Sequence, residues 1–130
     1  MAQEKILLVE DHAAIRSVVG ILLRSRGYLI FEAATAQEAF AVLKTERPDL
    51  ILMDIQLPDM DGLEATRRLK QDAATQNIPV IAVTGNVMNG DREAAIAAGC
   101  VEYIAKPIDR TTFIREVATH LGRKGEDSDS

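Results

Sequence analysis

Short, nearly unbroken apolar runs recur at residues 6–9, 28–31, 50–53, 80–83 and 103–105. Such a run suits a strand covered on both faces of a parallel sheet, because neither face meets water. Helical patterns fill the intervals. The first passes through Ile15, Val18, Val19, Leu22 and Leu23 to Gly27, with Asp11 placed to cap it. Thr35-Ala-Gln-Glu38 has the spacing of a capping box and opens a helix with Ala39, Phe40 and Leu43 inward, ending before Pro48. Residues 62–71, 90–98 ahead of Gly99, and 110–121 ahead of Gly122 supply the other three helices. Strict alternation of strand and helix predicts an α/β fold: a five-stranded parallel sheet with right-handed crossovers and five helices on both faces.

At 130 residues the chain has the length of one ordinary domain, which the pattern places at residues 1–121. Residues 122–130 form a polar tail with no apolar anchor, expected to be disordered. No apolar run approaches the ~18 residues needed to span a bilayer, and the N-terminus lacks a signal-peptide core, so a cytoplasmic protein without membrane contact is expected. Cys100 is the single cysteine, which excludes an internal disulfide and reads as a small apolar filler. A net charge of −5 is opposite in sign to what phosphate-backbone contacts need, so direct nucleic-acid binding is disfavoured.

Ligands of such sheets sit at the C-terminal ends of the strands. The residues there are Glu10 and Asp11, Asp54, Thr84, and Lys106 with Pro107. Three carboxylates gathered at one edge repel one another unless a cation sits among them, and a hard dication with oxygen ligands, best Mg²⁺, meets that need. One carboxylate is then free to act as a nucleophile toward a phosphoryl group. Lysine would neutralise charge on that group, and the threonine hydroxyl would bond one of its oxygens.

Leu7-Leu-Val-Glu-Asp11, Leu50-Ile-Leu-Met-Asp54-Ile-Gln-Leu-Pro58, Val83-Thr84-Gly85 and Ala105-Lys106-Pro107 together resemble the signature of the response-regulator receiver (CheY-like) domain, over residues 4–121. Within the family the stretch from Asp49 to Glu64 is most similar to stand-alone single-domain regulators of the DivK type. The resemblance implies a flavodoxin/CheY-like strand order of 2-1-3-4-5. It implies Asp54 as the phosphoacceptor, with Asp11, Asp54 and the Gln56 backbone carbonyl holding Mg²⁺ and Glu10 acting through water. It implies Lys106, Thr84 and Gly85 against the phosphoryl group, a switch pair of Thr84 and Tyr103, and a cis peptide between Lys106 and Pro107. Gln56 and Asn86 flank the site in the family and would tune phosphoryl lifetime. Alanine usually follows the switch threonine, so Gly85 is a departure that would loosen the loop.

The implied function is two-component signalling: a phosphorylation switch, not a turnover enzyme, charged by a histidine kinase or histidine phosphotransfer protein. Its expected activities are self-phosphorylation and slow self-dephosphorylation. With only the tail after Leu121, output is expected through a downstream protein partner at helix 4, strand 5 and helix 5, or by phosphoryl relay. The chain is expected to be a monomer or a phosphorylation-dependent dimer, and a receiver module of a hybrid histidine kinase reads similarly. A haloacid-dehalogenase-like phosphatase also uses an aspartate after a parallel strand with Mg²⁺, but it needs an acid two residues on, where Gln56 stands. A flavodoxin-like cofactor protein would need a phosphate loop where Glu10-Asp-His12 would repel an anion. Asp59 and Asp61 read as the turn and cap before the third helix, His12 and His120 carry no assigned chemistry, and Arg67, Arg68 and Lys70 read as a solvated basic face.

Overall fold

The computed structural model describes residues 3–85 and 91–121. Its elements are β1 Lys5–Val9, α1 Ala13–Arg24, β2 Leu29–Ala33, α2 Ala36–Leu43, β3 Leu50–Asp54, α3 Gly62–Gln71, β4 Val80–Thr84, α4 Asp91–Ala98, β5 Glu102–Ala105 and α5 Arg110–His120. The strands form one sheet in the order β2-β1-β3-β4-β5, and every neighbouring pair is parallel.

The apolar runs are continuous because alternate residues serve two cores. Leu7, Val9, Ile51, Met53, Val80 and Ala82 face a cluster completed by α2, α3 and α4, through residues such as Ala39, Leu63 and Ala95. Ile6, Leu8, Leu50, Leu52, Ile81 and Val83 face a second cluster built with Val19 and Leu23 of α1 and Phe113 and Val117 of α5. Each fully buried aliphatic side chain of this kind contributes about 1.5–3 kcal/mol. The central strands β3 and β4 are buried at every residue, and this core fixes the sheet edge that carries the polar residues.

Several local expectations shift. In α1 the inward residues are Val19 and Leu23, whereas Val18 is 66% exposed, turned about 100° away from Val19 on the helix. β2 runs on to Ala33 because its exposed Glu32 is held by Arg16 and Arg24 at 3.2 and 2.9 Å, a pairing invisible in an apolar pattern. Asp11 is not the cap of α1. His12 occupies that position and makes no side-chain cap bond.

In α2, Thr35 accepts from Glu38 N–H, while the Glu38 carboxylate reaches back to Ala34 N–H. Asp59 belongs to this helix and not to α3: its two oxygens accept from the N–H groups of Ala36 and Gln37, each at 2.9 Å. Burial opposes the effect, but those donors hold the Asp59 carboxyl below its ordinary value. Asp61 alone caps α3, accepting from Leu63 N–H at 2.7 Å.

Lys70 is not part of a solvated face. Its ammonium donates to the carbonyls of Ile78 (2.6 Å) and Gln76 (3.1 Å), fastening the segment that leads into β4, whereas Arg67 and Arg68 pair with Glu64. α4 ends at Gly99, whose φ of 113° favours glycine, and a Cβ there would meet the Lys70 stem at 2.6 Å. Residues 122–130 and Gly90 lie outside the described residues.

Candidate functional site

Sheet order brings β1 and β3 side by side, so their C-terminal ends place Glu10 and Asp11 next to Asp54. β4 and β5 follow on the other flank and deliver Thr84 and Lys106. Asp54 is 4% exposed and Glu10 is 3% exposed. Lys106 Nζ lies 2.6 Å from Glu10 Oε1 and 3.7 Å from Asp54 Oδ2, so Glu10 takes most of its charge. Asp54 Oδ1 accepts from Gln56 N–H at 3.0 Å, which fixes the carboxylate plane.

Burial is the largest influence on Asp54 and lifts its carboxyl to about 6. The Gln56 N–H opposes the rise, the negative Glu10 adds to it, and Lys106 opposes it. Burial thus makes the Asp54 carboxylate a stronger base than an exposed aspartate.

Two glycines bear on the site in different ways. A Cβ on Gly62 would fall 2.2 Å from the Asp54 carbonyl oxygen and 2.8 Å from Ile55 Cα, so the first turn of α3 packs directly on the backbone that carries Asp54. Gly62 N–H also donates to Ile55 O at 2.7 Å. At Gly85 a Cβ would meet Lys106 at an ordinary 3.7 Å, so space there does not demand glycine.

Thr84 is buried and its carbonyl accepts from Lys106 N–H at 2.8 Å. The Lys106–Pro107 peptide is cis. Tyr103 is half-buried on β5, and its hydroxyl reaches Asp91 on α4 at 3.5 Å. Asn86 lies outside the described residues.

Two features escape the sequence reading. The Glu10–Lys106 pair joins residues 96 positions apart, which no local pattern encodes. His12, given no chemistry from spacing, has Nδ1 at 3.4 Å from both Glu10 Oε2 and Asp11 Oδ1. An imidazole directly after an acid pair at a strand end was the available signal. Glu10, Asp11, His12 and Asp54 each offer a ligand atom within 4.8 Å of the others, and a second such group comprises Glu102, Glu116 and His120.

A parallel 2-1-3-4-5 sheet with this acid cluster and lysine at its edge defines an α/β domain of the receiver type. The sequence matches the response regulator receiver domain over residues 6–118, and the chain belongs to that family. It is 41% identical over 119 residues to the polar-differentiation response regulator DivK of Brucella anthropi, covering 92% of this chain and 97% of that protein. Among solved structures it resembles the receiver domain of a Pseudomonas aeruginosa sensor histidine kinase, which has a magnesium ion in its active-site cleft. That likeness has 38% identity and a TM-score of 0.85, covering 93% of this chain and 99% of the other. A CheY-like receiver from Methanospirillum hungatei matches with a TM-score of 0.87 at 29% identity, covering 97% and 99%. Membership places the chain in two-component signalling. No helix among the described residues is long and apolar enough to cross a membrane.

Proposed function

We propose that Asp54 accepts a phosphoryl group from a phosphohistidine on a kinase or phosphotransfer protein, and that the change is read by a protein partner on α4, β5 and α5. The observation that carries this reading is a 4%-exposed carboxylate at the end of β3, with an ammonium 3.7 Å away and two further acids beside it. An Asp54 oxygen attacks phosphorus, the P–N bond breaks, and the imidazole leaves with the electron pair. Lys106 is placed to exchange Glu10 for a phosphoryl oxygen, and Thr84 to offer its hydroxyl to another.

The residues fit Mg²⁺. Asp11 Oδ1 is buried without a hydrogen-bond partner among the described residues, an acceptor that a dication would satisfy, and the carboxylates beside it are hard oxygen donors. Asp11, Asp54 and the Gln56 carbonyl would hold the ion, with Glu10 acting through water. When bound, Mg²⁺ neutralises charge that builds on the phosphoryl oxygens. Gln56 supplies no proton shuttle, so hydrolysis is slow, and Gln56 and Asn86 set the lifetime by orienting or excluding water. These features favour a switch over a phosphatase.

Residues 1–121 form the receiver. Its readout surface has a groove of about 320 Å³ lined by Arg92, Glu102, Tyr103, Thr112 and Glu116 among others. Tyr103 and Thr84 form the switch pair. The likeness to both a DivK and a kinase-borne receiver is compatible with allosteric output or with relay.

Acetyl phosphate or a phosphorylated histidine kinase, supplied with Mg²⁺, should add one phosphoryl group. Borohydride trapping and mass spectrometry should place it on Asp54. Label that persists in Asp54→Asn, or appears equally in EDTA, would overturn the assignment.

A further inference from the structure

His12 is not required by the helix it precedes, since its side chain makes no cap bond and is 69% exposed. It is nevertheless aimed at the acid cluster. Its backbone N–H is fixed on Glu10 Oε2 at 3.1 Å, and its Nδ1 lies 3.4 Å from one oxygen of Glu10 and one of Asp11. That Asp11 oxygen is buried and has no hydrogen-bond partner among the described residues, so the imidazole approaches it without satisfying it. Imidazole nitrogen and carboxylate oxygen bind Zn²⁺ at about 2.0–2.2 Å, and two such ligands at a tetrahedral angle stand roughly 3.4 Å apart. The approach to Glu10 Oε2 is a hydrogen bond, whereas the spacing to Asp11, a direct ligand in the site proposed above, is that of co-ligands.

We infer that His12 is an additional, nitrogen donor at the Glu10–Asp11–Asp54 site, one that lets it hold a borderline dication of the Zn²⁺ class more tightly than its oxygens alone would. The inference rests on the metal site proposed above and concerns which ion that site prefers. Mg²⁺ is hard and takes oxygen ligands, so it gains little from an imidazole. Zn²⁺ and the other borderline ions gain substantially, because imidazole is a ligand they favour, whereas Mn²⁺ behaves more like Mg²⁺ and serves only as a spectroscopic probe of the nitrogen.

The test compares the full chain with His12→Ala and His120→Ala at pH 8, where free imidazole is neutral. Both positions are near the surface, and His120→Ala controls for the separate Glu102, Glu116 and His120 group. Calorimetric titration should show Zn²⁺ affinity falling at least about tenfold in His12→Ala, the lower end of the loss seen when even an outer partner of a metal ligand is removed. Mg²⁺ affinity should stay within about twofold. Pulsed electron paramagnetic resonance of the Mn²⁺ form should show a ¹⁴N coupling that disappears in His12→Ala and persists in His120→Ala. Unchanged Zn²⁺ binding in His12→Ala, equal weakening of both ions, or a nitrogen signal lost only in His120→Ala would each overturn the inference. The site reading itself would fail separately, and the inference with it, if Mg²⁺ bound Asp54→Asn as well as it binds the native chain.

Discussion

Replacing Asp54 with asparagine should make the metal-free protein more stable at pH 8, although it destroys the phosphoacceptor. The carboxylate is 4% exposed, and burial, aided by Glu10 and opposed by Gln56 N–H and Lys106, raises it from 3.8 to about 6. At 1.36 kcal/mol for each tenfold change in proton affinity, holding it ionised costs the folded state about 3 kcal/mol. Asparagine keeps the acceptor for Gln56 N–H and turns a repelling oxygen near Glu10 into a donor, and the lost attraction of Lys106 is already contained in that figure. A net gain of about 2–3 kcal/mol follows, or roughly 6–12 °C in Tm for a domain of this size.

The penalty disappears with protonation. The folded state binds the proton more tightly than the unfolded chain, so the penalty is fully present above about 6 and fades as pH falls from 6 toward 3.8. Urea denaturation of both proteins in EDTA, from pH 8 to pH 4.5, reads Asp54 together with its interaction with Glu10, because titrations away from the site cancel in the difference. Asp54→Asn should lead at pH 8 and lose its lead toward pH 4.5, and Mg²⁺ should narrow the lead at pH 8 by binding only the native chain. An asparagine variant no more stable than the native protein at pH 8, or a lead that widens on acidification, would refute the reasoning.

Gly62→Ala should cost about 3 kcal/mol or more in chemical denaturation, because its Cβ would lie 2.2 Å from a backbone oxygen that cannot yield without moving α3. Lys70→Met keeps the apolar stem but abandons the two carbonyls, and the same assay should show a loss of about 1–3 kcal/mol. Asp59→Ala should cost about 1 kcal/mol, the worth of a helix cap; the native advantage is fully present above 3.8 and lost as pH falls below it through the lowered folded value. Thr84→Ala should still bind beryllofluoride, by fluorine NMR, yet lose most of a partner-affinity change of about 5- to 150-fold, the usual range of allosteric coupling.

The sheet was legible in sequence because burial on both faces forces apolar runs, and a run survives whatever packs on it. β3 and β4 show this most clearly. β2 was cut short at its polar Glu32, whose partners Arg16 and Arg24 lie on another element. Capping motifs are legible where the partner is also local, as with Thr35 and Glu38, or Asp61 and Leu63. The sequence alone points Asp59 to α3, the nearer helix start, because the N–H groups it satisfies are 22 and 23 residues away. At the candidate site the strand-end rule gathered Glu10, Asp11, Asp54, Thr84 and Lys106. It did not say how the charges pair, since register and side-chain reach decide that the ammonium rests on Glu10.

That pairing bears on how a charge at Asp54 could be felt on an outer surface. Lys106 is held by its side chain to Glu10 at the sheet edge and by its backbone N–H to Thr84 O. If its ammonium moves to a phosphoryl oxygen, the displacement acts on the peptide that links the ends of β4 and β5. β5 is an edge strand, and the side-chain bonds described between it and α4 are few. Arg92 meets Glu102 at 2.7 Å, and the Tyr103 hydroxyl meets Asp91 at 3.5 Å, both from the first turn of α4. Exposed ion pairs such as the first contribute about 1 kcal/mol or less, and the second is at the outer limit of a hydrogen bond. The deeply buried β3–β4 centre cannot deform cheaply, so strain introduced at Lys106 would be released where restraint is weakest, at β5 and the start of α4.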